Sequence, residues 1–347
     1  MTRILKIADF EISDASTPFV IAEVGHNHQG NIETCERIFE AAAVAGAHAV
    51  KLQKRSNRDL YTPEFFDSPY TGPASFGDTY GVHREALEFG EKEYLHLKNF
   101  AEKKGLIFFA TAFDFKSVDF LEKIKVPAIK IASGDLKSIP LLRYARRTGI
   151  PLIMSTGGST FSDIDAALQQ VDETKIGLLQ CTAAYPAEAE NMDLRVIETM
   201  RERYPNTVIG LSSHDRGIAF STVASVLGAR IIEKHFTLDR SMKGTDHAFS
   251  LEPSGLSKLV RDLTLVQKAL GDGVKKVYEV EASGLRKMGK MIIYGKSLPK
   301  GHVLAEDDLE IRSPLDGLSA SNWDAVIGMT LRKEVNAYSS VKFEDFE

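Results

Sequence analysis

The sequence is poor in cysteine. Of 347 residues only Cys35 and Cys181 carry thiols, too few to staple a secreted fold, so reduced thiols in a cytoplasm are the simpler expectation. An excess of charge of either sign is also missing. Lys and Arg total 43 against 48 Asp and Glu, a net charge of −5, which excludes the basic footprint of a nucleic-acid binder. Long hydrophobic runs are lacking as well: the opening MTRILKIADF has no apolar stretch, and Ala41–Val50 is interrupted by Gly46 and His48. Neither a signal peptide nor a membrane span is therefore expected, and the protein reads as soluble. What is present is ordinary globular usage, 43% hydrophobic and 26% charged, over a length that suggests one large domain plus a small one.

Short β-branched or aromatic runs recur, each followed by a helix-like segment: Phe19–Val24, His48–Gln53, Leu106–Thr111, Ala128–Ser133, Pro151–Ser155, Lys175–Cys181, Thr207–Ser212 and Arg230–His235. Amphipathic stretches such as Ile32–Ala45, Lys92–Lys104, Asp163–Gln170, Leu194–Arg203 and Gly217–Leu227 lie between them. Such alternation predicts parallel strands with crossover helices, and eight units predict an α/β fold, the (β/α)8 TIM barrel. One interval is far too long for a single βα unit. Residues Lys54–Gly90, rich in Tyr, Pro, Gly and Asp, are expected to form a long loop at the barrel mouth and no extra core element. The catalytic barrel is assigned to residues 1–270, a linker to 271–283 and a small β-rich module to 284–347.

In such a barrel the chemistry belongs at the C-terminal ends of the strands. There the runs end in Glu23; Lys51 and Gln53; Thr111; Lys130 and Ser133; Ser155; Cys181 and Thr182; Ser212 and His214; and Glu233, Lys234 and His235. One polar strand end is ordinarily a solvated terminus; eight at the same end of the barrel point to a site. Two lysines and several hydroxyls suit a small anionic ligand bearing phosphate and carboxylate. Gly157-Gly158 ahead of a helix either offers N–H groups to an anion or makes a plain tight turn. His214 and His235 either share a divalent ion or simply hydrogen-bond at the mouth. Cys181 reads as a packed residue and not a nucleophile. His26 and His28 form an HxH pair of the kind that opens metal-dependent amidohydrolases, but no Asp stands at the eighth strand end to complete that site.

The segments IAEVGHNHQG (21–30), AVKLQ (49–53), KIASGD (130–135), MSTGG (154–158), CTAAYP (181–186), IGLSSH (209–214) and EKHFTLDRSMKGTDHAFSLEP (233–253) resemble the sialic acid synthases over nearly the whole chain. The tail, with YGKSLPKGHVLAEDDLEIRSP (294–314) and VIGMTL (326–331), is similar to their antifreeze-like (SAF-type) module. The resemblance implies condensation of phosphoenolpyruvate (PEP) with an open-chain N-acetylated amino sugar, assisted by Mn²⁺ or Mg²⁺. It also implies a domain-swapped homodimer. Carried over by position, Glu23 is the acid beside the reacting carbons, and Lys51, Thr111, Lys130, Ser133, Ser155 and Ser212 hold PEP. His214 and His235 are the metal ligands. Gln53, Asp135, Tyr185 and Asp246 meet the sugar, and Arg312 reaches the barrel of the partner. Departures lie on the sugar side, at Ala183, Asp135, Ser213 and the stretch AEAENM (187–192). His247 points toward N-acetylmannosamine or a legionaminic acid precursor as the acceptor. The rivals are a PEP-dependent synthase of shorter keto acids and a catalytically silent sugar-binding barrel.

Overall fold

The computed structural model describes residues 3–347. They divide into two compact units, the first running to Gly271 and the second from Asp272 to Glu347. In the first, β3 (Phe19–Gly25), β4 (Ala49–Lys54), β5 (Ile107–Ala112), β6 (Ile129–Ile131), β7 (Leu152–Ser155), β8 (Ile176–Cys181), β9 (Val208–Ser213) and β10 (Ile231–His235) pair in parallel, each with the next. β10 then pairs with β3 and closes the barrel. Every residue of β3, β8, β9 and β10 is buried, as expected of parallel strands covered by helices on the outside and by side chains within.

The barrel is preceded by a hairpin, β1 (Ile4–Ile7) and β2 (Phe10–Ser13). Ala8 takes a left-handed φ of 51° at its tight turn. Leu5, Ile7 and Ile12 join the barrel core, and Leu5 lies close to Gly177 at the start of β8. The hairpin therefore plugs the N-terminal end of the barrel, opposite the mouth.

The long insertion after β4 contains three short helices, Asn57–Leu60, Pro63–Phe66 and Tyr80–Ala86. Phe66 is buried, and Tyr61, Phe65, Tyr70 and Tyr80 pack ring against ring. Lys54 at its start pairs with Glu88 at its end, 2.6 Å apart. The insertion is thus a folded cap with its own aromatic centre and not an irregular loop. The last helix of the unit, Pro253–Ala269, buries Leu256, Leu259 and Leu263. Among the described residues no helix is long and apolar enough to cross a membrane.

The second unit contains a short helix, Ala282–Met288, and an antiparallel pair, β11 (Met291–Tyr294) and β12 (Leu309–Arg312). Its small core gathers Ile292, Tyr294, Leu298, Leu304, Val326, Leu331 and Phe346.

Candidate active site

The strands carry their functional side chains by alternation. Lys51 and Gln53 on β4, and Glu233 and His235 on β10, line a cavity of about 830 Å³ at the C-terminal end of the barrel. The residue between, Lys234, points elsewhere: its Nζ bonds the carbonyl and the carboxylate of Asp215 at 2.7 and 2.8 Å. That buried ion pair ties the end of β10 to the loop after β9, one residue from each of His214 and His235. Removing one partner would strand a buried charge at a cost of about 3–5 kcal/mol.

Glu23, Lys51, Gln53, Thr111, Lys130, Ser133, Asp135, Ser155, Tyr185, Ser212, His214, His235 and Asp246 all line this one cavity. Arg312 does not; it lies in the second unit, at the end of β12, against Glu310 at 2.6 Å and over the Tyr338 ring.

Two lysine centres stand side by side. Lys51 pairs with Glu23 and donates to Thr111 Oγ1 at 2.8 Å. Lys130 donates to Ser155 Oγ at 2.5 Å and lies 3.9 Å from Glu233, whose carboxylate accepts from Ser212 at 3.1 Å. Burial pushes the Glu23 carboxyl up to about 6, the Lys51 charge opposing this and the neighbouring Glu233 adding to it. Glu233 is buried too, but Lys130 and Lys51 together hold it below the usual range. One acid is thus poised near neutrality while its neighbour stays ionised, a division suited to proton transfer. Gly25 ends β3 with φ of 54°, and a Cβ there would sit 3.3 Å from Glu23 Oε1 and 3.4 Å from Gln53 Nε2. Glycine therefore keeps that pair in place, with Gln53 donating to Glu23 at 2.7 Å.

The two mouth histidines approach with ring centroids 5.4 Å apart. His214 Nδ1 donates to Thr182 O at 2.9 Å, leaving the Nε2 lone pair free. Among the described residues His235 Nδ1 has no hydrogen-bond partner, and it lies 3.6 Å from Asp246. Burial lowers both, His214 to about 4, so both are neutral donors. Two neutral nitrogens fit a divalent ion whose remaining positions belong to water and substrate. Among the described residues no cluster of three or more His, Cys, Asp or Glu is placed to enclose a metal, so a closed structural centre is not what the pair would make.

The geometry bears on four further sequence readings. The Gly157 N–H is used by Ser133 Oγ at 3.0 Å, and the helix Phe161–Leu168 is capped by Thr160 and Asp163; the Gly-Gly turn places Ser133 and presents no open anion site. His28 is buried and stacks on Phe89, so only His26 of the HxH pair reaches the cavity. His247 is buried against Thr237 Oγ1 at 2.7 Å and lines no part of the cavity, so it does not reach the space where a sugar would lie, contrary to its use as a pointer to the acceptor. Burial raises the Cys181 thiol, in keeping with a packed residue.

The profile of the NeuB family matches residues 38–275, and that of the SAF domain matches residues 289–347. The chain belongs to the NeuB family. It is 37% identical over 296 residues to human N-acetylneuraminate-9-phosphate synthase, covering 85% of this chain and 82% of the human one. It is 33% identical to the N,N'-diacetyllegionaminic acid synthase of Campylobacter jejuni, covering 90% of this chain and 96% of that one. Among solved structures, the N-acetylneuraminic acid synthetase of Leptospira borgpetersenii, in complex with citrate, superposes with a TM-score of 0.72 at 33% identity, over 82% of this chain and 96% of that one. This NeuB-family barrel is accordingly a sialic acid synthase-type enzyme of the transferase class, with a C-terminal SAF domain.

Two charged cavity groups, Arg55 and Arg84, have no place among the sequence candidates, whereas Tyr61 and Tyr80 on the same wall belong to the insertion aromatics expected to lid the mouth or to pack on a partner. Arg55 continues the alternation of Lys51 and Gln53, a signal that was available. Arg84 and the tyrosines come from the insertion, whose folding over the mouth has no periodic signature.

Proposed function

We propose that this NeuB-family enzyme condenses PEP with an open-chain N-acetylmannosamine-type sugar, giving N-acetylneuraminate or a related nine-carbon 2-keto acid plus phosphate. The observation that carries the reading is the pairing of Lys51 with Glu23 and of Lys130 with Ser155 in one buried cavity that also receives His214 and His235. Lys51, Thr111, Lys130, Ser133, Ser155 and Ser212 bind the phosphate and carboxylate of PEP as point charges and hydroxyl donors. Gln53, Asp135, Tyr185 and Asp246 orient the sugar. His214 and His235 would hold Mn²⁺ or Mg²⁺, which when bound supplies Lewis-acid polarisation of the aldehyde oxygen.

Carbon 3 of PEP attacks the aldehyde carbon, whose oxygen takes up a proton. Water adds at carbon 2, and the tetrahedral product expels phosphate by carbon–oxygen cleavage to leave the 2-keto acid. Glu23, held near neutrality at the same wall, accepts the proton of the attacking water. A homodimer in which Arg312 enters the partner's barrel belongs to the same reading, supported by the exposed position of Arg312 at the end of β12. Two free cysteines suit a cytoplasmic setting. The relatives' names, one a 9-phosphate and one a diacetylated product, make the legionaminic or pseudaminic acid precursor the second reading of the acceptor.

The test is phosphate release from PEP with Mn²⁺ and N-acetylmannosamine, its 6-phosphate or a 2,4-diacetamido-trideoxyhexose, each with and without chelator. Chelator-sensitive release with one sugar is expected. Silence with all three from folded, metal-loaded protein would overturn the condensation and leave the sugar-binding barrel.

A further inference from the structure

The cavity has a second, separate concentration of positive charge. Arg55 follows β4, Arg84 lies on the Tyr80–Ala86 helix, and both line the wall. The Arg55 side chain is buried, its guanidinium 3.6 Å above the Phe113 ring. Nη2 donates to Gln53 Oε1 at 2.8 Å, and Nη1 lies 3.1 Å from His26 Nε2. Arg84 approaches the other nitrogen of the same imidazole, Nη1 to Nδ1 at 3.2 Å, while Nε and Nη2 both donate to the Tyr80 hydroxyl.

This arrangement leaves donors over. Burial, and then the two guanidiniums, hold His26 far below its usual range, so the ring is neutral and only one of its nitrogens can accept. One arginine therefore faces an N–H. Neither arginine has a carboxylate within ion-pair distance among the described residues: Glu88 is taken by Lys54 at 2.6 Å, Glu85 lies 3.4 Å from Arg58, Asp114 accepts from the N–H groups of Ser56 and Ser117, and Asp246 and Asp135 on the same cavity act on Arg84 and Arg55 only from beyond that distance. The two cavity lysines, by contrast, each have an acid beside them. A buried guanidinium and a half-buried one with no acid in contact are costly unless a ligand supplies the counterion.

The position of the pair indicates which ligand. The two ends of the Gln53 amide are gripped by Glu23 and Arg55. Arg55 thus stands one side-chain amide away from the acid at the reacting carbons, a span that an open six-carbon chain covers. Planar forks match phosphate oxygens two at a time, and the Tyr61 and Tyr80 hydroxyls stand on the same wall.

We propose that Arg55 and Arg84 form the subsite for a phosphate on the terminal carbon of the acceptor, so that the preferred acceptor is a phosphorylated amino sugar and the product a phosphorylated nonulosonic acid. The assignment rests on the condensation reading above. It separates the anions of the two substrates: PEP on the lysines, the acceptor phosphate on the arginines.

The experiment compares N-acetylmannosamine 6-phosphate, N-acetylmannosamine and N-acetylmannosaminuronate as acceptors for the full-length protein with PEP and Mn²⁺. The phosphorylated sugar is expected to lead in kcat/KM by about a hundredfold or more. In Arg84→Met, chosen because Arg84 is only half-buried, KM for the phosphorylated acceptor should rise about tenfold or more while KM for PEP moves far less; Arg84→Lys should recover part of the loss. Equal efficiency with unphosphorylated sugar, preference for the uronate, or an equal rise in KM for PEP would overturn the assignment. Calorimetric titration of the 6-phosphate into folded wild type and Arg84→Met separates the two claims. Binding that is lost in the variant, without turnover of any acceptor, would sink the condensation and keep the arginine subsite; no binding by wild type would sink the subsite.

Discussion

Acids in the barrel mouth and in the SAF domain are buried or half-buried but set apart in opposite ways. In the mouth, burial prevails at Glu23 and Asp135, both raised to about 6, while Glu233 is held low by two lysines. In the SAF domain both buried aspartates are held low. Burial works against the Asp308 carboxylate, but Lys296, the Ala305 N–H and His302 outweigh it; at Asp345 Lys333, the Lys342 N–H and the Tyr294 hydroxyl do the same. The difference separates a site from a scaffold. Donors that fully satisfy a carboxylate make it a fixed brace, whereas a carboxylate left partly desolvated can gain and lose a proton during a reaction.

The largest effect that would sharpen this contrast is loss of the mobile proton. Glu23→Gln should lower kcat about 100-fold or more and change KM for PEP little, measured by steady-state phosphate release; an unimpaired kcat would break the distinction at its centre. Next comes the anion grip. Lys130→Met should raise KM for PEP roughly 10- to 100-fold, and a change confined to kcat would show that Lys130 acts in the chemistry and not in holding PEP.

Acidification should divide the two units. His26, His28, His214 and His235 all have folded-state values below the ordinary 6.5. As the pH falls below 6.5 the unfolded barrel takes up protons that the folded barrel refuses, so stability is lost toward the folded values. Glu23 runs the other way: its contribution is complete below 4.5 and is lost as the pH rises through about 6. Asp135 behaves likewise, complete below 3.8 and lost through about 6, and the four histidines outweigh these two acids. The low aspartates of the SAF domain lose their contribution only below 3.8. Trp323, the one tryptophan of the chain, packs on the SAF core, so its fluorescence reports that domain alone. Between pH 7 and pH 5 the thermal midpoint by far-ultraviolet ellipticity should fall by about 5 °C or more, with the Trp323 midpoint nearly fixed; a joint fall would erase the contrast.

The smallest effect is expected at a brace itself. Asp308→Asn should cost the SAF domain about 1–2 kcal/mol, seen in the Trp323 transition, and leave PEP turnover with the barrel's own KM.

The barrel strands were legible because each is a short run of β-branched or aromatic residues with turn residues on either side, and every predicted run matches an observed strand to within two residues at either end. Strand ends were legible for the same reason, since alternation from Lys51 or Glu233 decides which neighbours face inward. The β1–β2 hairpin has no comparable signal, because each strand is four residues long and in the first only Lys6 interrupts an otherwise apolar run. His247 was misjudged because its motif neighbour Asp246 faces the cavity while the short helical turn His247–Phe249 rotates the histidine away. Arg84 was beyond reach: nothing local in the insertion specifies which of its faces lies over the mouth.

The clasp between Lys54 and Glu88 closes the insertion at its two ends, leaving the strand that precedes it and the helix that follows it to the barrel. Between those ends lie Arg55, Tyr61, Tyr80 and Arg84, whereas Glu23, Lys130, His214 and His235 come from other strands or the loop just after one. Selection can therefore lengthen, trade or rewrite that segment as an exchangeable part while the groups borne by the barrel strands are inherited intact, and a lineage can change the acceptor without rebuilding the rest of the site.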